Sequence, residues 1–308
     1  MRRPGRCAGI WRRDDELVVA VVSRGLNVLE AFSVPVLRRP GGLEDALAEV
    51  GRKVGRAPAV VAPWAGEAAV RCVRGPKVAS REAASAAAWE MQALLSGRPQ
   101  AYVVRHAVLG AGENFTDILA AAVPEDAVRA AVQPARGRLR LLAVDAEPCA
   151  LWRAARLAGA APAEEGPVAI ACAGGPGTSV VVGRRAPEFV RVLPPAEGTQ
   201  EIRRTLSYYE SQMDARIARR YWAGPEVPEG FVPLDLGPGG ARYAVAAGLA
   251  AWPYLEPRMS FLTSEMREDA RARSVLPWVL CGVVFACALG LGEIALTFRG
   301  EAGRLARE

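Results

Sequence analysis

The chain has 308 residues, a formal net charge of +6 with arginine far outnumbering lysine, six cysteines and a single histidine. One histidine, His106, excludes most histidine-based metal sites and weakens any catalytic triad, while six scattered cysteines with no CxxC pair exclude a zinc or disulfide framework. The positive charge is spread along the sequence without an aromatic-interleaved basic cluster, so there is no nucleic-acid footprint, and anionic lipid headgroups are its better partner.

The N-terminus, MRRPGRCAGIW, is basic but has no apolar h-region, so nothing in it directs export. Leu17–Val22 and Val28–Val34 read as two strands joined by a turn at residues 23–27. Pro40-Gly41-Gly42 opens a helical stretch with Leu43, Leu47, Val50 and Val54 on one side. Short apolar runs at Ala59–Ala62 and Ala69–Val73 suit strands, and Ser80 is placed to cap an alanine-rich helix carrying Trp89, Leu94 and Leu95. Tyr102–Leu109 and Phe115–Val123 form a further strand pair broken at Gly110-Ala111-Gly112, and Pro124-Glu125-Asp126 starts a helix with acids in its first turn.

Leu139–Val144 is the next strand, and Asp145-Ala146-Glu147-Pro148 turns it into a helix through Leu151 and Leu157. Residues 159–167, rich in Ala, Pro and Glu, mark a subdomain break. The pattern then restarts: Val168–Ala173, a glycine loop, Ser179–Val182 and Glu188–Leu193. A long amphipathic helix follows, with Ile202, Leu206, Tyr209, Met213, Ile217 and Tyr221 at helical spacing, a stripe suited to a core. Phe231–Leu236 is a last strand and Arg242–Trp252 a last helix of small residues. Strand hairpins followed by helices, twice over, predict a duplicated α/β architecture.

Near the C-terminus, Ser274–Gly292 has no charged residue and its apolar character runs on to Phe298. About 20 such residues in a helix cross a hydrocarbon core, so Ser274–Phe298 is predicted to be a single membrane span. Gly282, Ala286 and Gly290 give that helix a small-residue surface against which another helix could pack. The expected division is a domain over 1–252, a juxtamembrane segment over 253–273, the span over 274–298 and a short periplasmic tail over 299–308. With no export signal, the N-terminal domain is expected in the cytoplasm of an inner membrane.

Four stretches carry a resemblance. Leu139–Pro148, Val168–Val182 with its Gly174, Gly177 and Thr178, Glu201–Gln212, and Ala244–Ala251 with Gly248 resemble, in this order, the actin-like ATPase superfamily. Within it they look like the PilM and GspL cytoplasmic-domain family of type IV pilus and type II secretion platforms. The resemblance covers roughly residues 1–252. It implies a duplicated actin-like (ribonuclease H-like) two-lobed domain, here followed by a single C-terminal transmembrane helix, with a nucleotide cleft between the lobes.

The cleft residues depart from the family pattern. The first phosphate loop is matched to Ala8–Asp15, where no acid precedes the glycine and Trp11 and Arg12 are bulky. In the second, Cys172 replaces the usual aspartate, a poor exchange for magnesium. Pro176 removes an amide N–H, and Pro194–Gly198 departs from a smoother glycine turn. Gly174, Gly177 and Thr178 then form a vestigial phosphate loop, and no cofactor is expected, with weak ATP binding without turnover as the alternative. The GspL branch implies a non-catalytic adaptor whose partners are a cytoplasmic secretion or pilus ATPase, inner-membrane platform proteins of the GspM, PilN or PilO kind, membrane lipid and, as a further option, a second copy of the chain. PilM binds a short hydrophobic tail of PilN. Phe261 and Leu262 stand where such a tail would lie if joined in cis, with a plain linker as the equal alternative. The rival function is a nucleotide-binding or ATP-hydrolysing pilus assembly protein.

Overall fold

A computed structural model describes residues 3–63, 68–77, 79–96, 101–162, 164–173, 177–194, 198–224 and 226–266. The chain divides into two compact units, Met1–Phe261 and Leu262–Glu308, and all three sheets belong to the first. The predicted span Ser274–Phe298, with Gly282, Ala286 and Gly290, lies outside the described residues. Among the described residues no helix is long and apolar enough to cross a membrane.

The first half is built on a five-stranded sheet. β1 (Arg6–Arg13), β2 (Glu16–Ser23) and β3 (Val28–Pro35) form an antiparallel meander, and β4 (Pro58–Val61) and β8 (Arg140–Val144) add parallel strands beside β1, giving the order β3-β2-β1-β4-β8. Parallel neighbours need a crossover, which α1 (Gly42–Val54) supplies between β3 and β4. The second half repeats the plan: β9 (Val168–Cys172), β10 (Thr178–Gly183) and β11 (Pro187–Leu193) are antiparallel, and β12 (Arg219–Ala223) and the short β13 (Val232–Pro233) extend the sheet in parallel, in the order β11-β10-β9-β12-β13. Here α5 (Thr199–Met213) makes the crossover.

Each half ends in a helix, α4 (Glu147–Leu157) after β8 and α6 (Ala244–Ala250) after β13. The two helices lie between the sheets and exchange partners: α6 packs on β1 and β2, α4 on β9 and β10, and they touch each other. Glycine permits both close approaches. A Cβ on Gly9 would stand 1.9 Å from the Ala246 carbonyl oxygen, and one on Gly248 1.8 Å from that of Ala150. One apolar core therefore runs through both halves, from Trp11 and Val18 through Ala150 and Leu249 to Ile170 and Val181.

Between β4 and β8 the first half carries an insertion, a three-stranded sheet in the order β5-β7-β6 made of β5 (Ala69–Pro76), β7 (Phe115–Pro124) and β6 (Tyr102–Ala111), covered by α2 (Ser80–Leu95) and followed by α3 (Glu125–Ala135). Its strand β5 lies alongside β11 of the second half, where the Cys72 thiol donates to the Pro187 carbonyl at 3.4 Å.

Three expectations are corrected. The N-terminal stretch matched to a first loop is strand β1, with Cys7–Trp11 all buried; charged residues at both ends hide its apolar centre. Its turn is Asp14-Asp15, where Asp14 takes φ of 49°, a left-handed conformation aspartate tolerates better than most residues. The stripe from Ile202 to Tyr221 is not one helix: α5 ends at Asp214 (φ 46°), and Tyr221 lies in β12. The helix start at Ala79 is not a hydroxyl cap; the Glu82 carboxylate turns back to accept the Ala79 N–H at 3.1 Å.

Candidate functional site

The two hairpins β1–β2 and β9–β10 occupy equivalent places in the two halves, and the site lies where they approach each other beside the start of α4. Trp11, two residues before the end of β1, donates its indole N–H to Glu147 Oε2 at 3.0 Å. Glu147 is the first residue of α4 and also receives the hydroxyl of Ser179, the second residue of β10. A single carboxylate thus ties a strand of the first half to a strand of the second. Glu147 keeps some solvent access, yet it is enclosed deeply enough that burial pushes its carboxyl up to about 7, against the lowering by Ser179 and Trp11. Cys172, fully buried at the end of β9, has its thiol pushed well up by burial and then by the charge of Glu147.

A second bridge closes the outer side. Glu16, the first residue of β2, accepts Arg13 Nη2 at 2.6 Å and Arg242 Nη2 at 2.5 Å. Arg242 belongs to the turn Ala241–Tyr243 that leads into α6, so this carboxylate joins the first hairpin to the end of the second half. An oxygen anion held between two guanidiniums at a hairpin tip occupies the kind of place a phosphate would take, and here the chain supplies that anion itself.

Of the vestigial loop residues, Gly174 and the neighbouring Pro176 lie outside the described residues. Gly177 precedes β10, and a Cβ there would stand 2.6 Å from the Leu193 carbonyl oxygen, so the glycine allows β11 to lie alongside. Thr178 is buried as the first residue of β10, opposite Leu193. Among the described residues no group of three or more His, Cys, Asp or Glu could hold a metal ion. His106 is in β6, opposite Ala120, with its imidazole pushed down by burial and by Arg105.

Beneath this rim is a sealed ion pair. Asp145 and Arg153 are both fully buried and meet at 2.5 Å. Asp145 Oδ1 accepts the Ala146 N–H at 2.9 Å, Arg153 Nε donates to the Gly248 carbonyl at 2.8 Å, and Arg153 Nη1 donates to the Pro257 carbonyl. Burial raises the Asp145 carboxyl above its usual range, with Arg153 and the Ala146 N–H working against it. One guanidinium therefore fastens the β8–α4 turn, α6 and the segment after α6 to one another.

That segment, residues 251–261, runs between the insertion and the first sheet. Trp252 Nε1 donates to the Met259 carbonyl at 2.7 Å, Arg105 Nε of β6 to the Ser260 carbonyl at 2.8 Å, and the Phe261 N–H to the Val144 carbonyl of the edge strand β8 at 2.8 Å. Phe261 is fully buried. Leu262 opens the second unit and is 6% exposed. Sequence reasoning singled out Phe261 and Leu262 but passed over Trp11, Glu147 and Glu16 as a group. An acid opening a helix whose next eight residues are all buried was the available signal for Glu147.

No family model matches the sequence, and no curated protein matches it. Solved structures do match. A chain of the PilM–PilN type IV pilus biogenesis complex superposes with a TM-score of 0.65 at 20% identity, covering 83% of this chain and 100% of that one. The cytoplasmic domain of EpsL, an inner-membrane component of the type II secretion system of Vibrio cholerae, superposes with a TM-score of 0.52 at 15% identity, covering 85% and 99%. The fold is actin-like. The two halves, their crossed helices α4 and α6, and the paired hairpins are the parts of that actin-like plan, and the rim of Trp11, Glu147, Ser179 and Glu16 lies between the two hairpins.

Proposed function

We propose that this protein is a membrane-anchored, non-catalytic actin-like adaptor of a type II secretion or type IV pilus inner-membrane platform. It links a cytoplasmic secretion ATPase to membrane partners of the GspM, PilN or PilO kind, with its N-terminal domain in the cytoplasm and Ser274–Phe298 as its span. The observation that carries the non-catalytic part is the Trp11–Glu147–Ser179 bridge, which puts an indole and a carboxylate between the two hairpins where phosphate and magnesium would need room. A carboxyl near 7 has the basicity for proton transfer. Here, however, it is held as the acceptor of two protein donors.

The system class rests on the fold shared with the PilM–PilN complex and the EpsL domain. The anchoring rests on Ser274–Phe298, 25 residues in which Glu293 is the one charged side chain. Residues 251–261 are the path from the core towards that stretch, and Phe261, seated against β8, is the cis contact in this reading. Calorimetric titration of the full chain with Mg-ATP should give no micromolar binding, and a phosphate-release assay no turnover. Micromolar affinity with turnover would replace the adaptor by an ATP-hydrolysing assembly protein. Gly282, Ala286 and Gly290 changed together to leucine should leave the chain in the membrane fraction but weaken co-purification of its membrane partners.

A further inference from the structure

Part of the positive charge that is spread along the sequence is gathered in space at one edge of the first sheet, where β1, β4 and β8 begin. The Arg24 N–H donates to the Gly5 carbonyl at 2.9 Å, and Arg6 Nη2 reaches the Val54 carbonyl at the end of α1 at 3.5 Å. A Cβ on Gly51 of the same helix would stand 2.4 Å from the Arg138 carbonyl oxygen, and Pro58 of β4 pairs with Arg140 of β8. Arg6, Arg24, Arg52, Arg56, Arg138 and Arg140 therefore share this edge. All six are exposed, and among the described residues none of them is in an ion pair. The runs 1–13, 17–29, 50–66 and 127–144 that supply them contain no acid, and Glu49 of α1 is taken by Lys53 at 3.1 Å. An edge of uncompensated guanidiniums draws anions to it.

An apolar tip stands beside these cations. Leu26, in the β2–β3 turn two residues from Arg24, is 37% exposed and holds φ of 66°. A turn position in this left-handed conformation favours glycine or asparagine, so the turn itself does not call for leucine. Leu29, three residues on, is 49% exposed. Leucine at a tip among cations is the make-up of an interfacial membrane contact, in which the cations meet anionic headgroups and the apolar side chain enters the acyl boundary. The six arginines stand on strand ends, turns and the last turn of a helix. Mobile headgroups can meet such a spread one by one, whereas a protein partner would have to hold its carboxylates in a matching layout. We propose that this edge is a contact surface for a membrane rich in anionic lipid, with Leu26 as the residue that enters it.

The contact adds to the anchoring proposed above and does not depend on it. The chain between Phe261 and Ser274, twelve residues, reaches at most about 40 Å, so a span beginning at Ser274 leaves this edge free to meet the bilayer. The probe is a polarity-sensitive dye on Asn27→Cys, beside Leu26, in the full chain with Cys281 and Cys287 changed to serine. Cys7, Cys149 and Cys172 are buried, and burial pushes the Cys72 thiol up to about 12, so the dye goes to residue 27.

With vesicles of neutral phosphatidylcholine the dye should emit as in water. With anionic phosphatidylglycerol added, its emission should move to the blue and a quencher carried on the acyl chains should dim it at least about twofold. Salt at about 1 M should reverse both changes, and so should Arg56→Glu combined with Arg140→Glu. Leu26→Asn should weaken the quenching without lowering the unfolding midpoint, since asparagine suits the turn. The same dye on Glu113→Cys, at the tip of the β6–β7 hairpin, should not respond. A response equal at residue 113, or one that survives the double charge reversal, would overturn the proposal. No response to anionic vesicles would overturn it too, in favour of an acidic protein segment as the partner of this edge. Retention on the vesicles after an alkaline wash reads the anchoring separately: a chain that washes off would sink the span, while the dye would still decide the basic edge.

Discussion

Two carboxylates two residues apart, the buried Asp145 and the half-buried Glu147, show how differently one turn can use the same chemistry. Asp145 is sealed among backbone groups and paired with a full positive charge, so it acts as a fixed joint for α4, α6 and the segment ending at Phe261. Glu147 meets only neutral donors, an indole and a hydroxyl, and keeps some contact with solvent. The joint ties the β8–α4 turn to α6 and to the segment after it; the rim above it holds a carboxyl that burial raises. At the rim the donors are of two kinds, the neutral indole and hydroxyl on Glu147 and the two guanidiniums on Glu16.

The largest expected effect strikes the joint. Arg153→Met leaves Asp145 buried without its counter-charge and should cost about 3–5 kcal/mol in chemical denaturation. The double change with Asp145→Asn should recover part of that loss, because the buried charge goes with its partner. A single change that costs less than about 1 kcal/mol would show the pair to be incidental. Next comes the helix crossing: Gly248→Ala puts a methyl 1.8 Å from the Ala150 carbonyl, and forcing the helices apart should cost about 1–3 kcal/mol.

At the rim, the sign of the pH dependence separates the two acids' neighbours. The Glu147 carboxyl is raised in the folded state, from 4.5 to about 7, so the folded chain binds its proton more tightly than the unfolded chain. That stabilisation is present in acid and is lost as pH rises through the folded value. Relative to Glu147→Gln, the parent should lose stability between about pH 4.5 and 7, at no more than ~1.4 kcal/mol per pH unit. Denaturation midpoints of both proteins across that range measure the difference, and parallel curves would mean that Glu147 is ionised in the folded chain.

The duplicated halves were legible because each hairpin, crossover helix and closing helix carries its own period and turn residues. Gly9 was taken for loop rather than strand for a local reason: Arg6 and Arg12-Arg13 bracket five buried residues, and such brackets resemble the ends of a loop. The run from Ile202 to Tyr221 misled in the opposite way, since an apolar spacing of four continues by chance across the end of α5 into β12. Neither the sealed pair nor the rim could be read in advance. The rim joins residues distant in sequence, Trp11 to Glu147; Asp145 and Arg153 are close in sequence, but the contact of Arg153 with Gly248 that seals them is distant, and no local pattern records such a meeting.

The smallest effect sits on the insertion and runs against the rim's. Burial and the neighbouring Arg105 push the His106 imidazole below 6.5, so here the unfolded chain takes up the proton first. Stability from this group is present above pH 6.5 and is lost as the pH falls towards the folded value, opposite in sign to the Glu147 slope. In the parent the larger Glu147 slope hides it; in Glu147→Gln the His106 contribution should appear as a slight gain in stability as the pH rises towards 6.5. It should vanish on further change of His106→Asn. Because this is the chain's single histidine, its imidazole proton resonance can be followed without assignment. A midpoint at or above 6.5 would mean that the ring is not enclosed in solution as it is here, with Arg105 beside it.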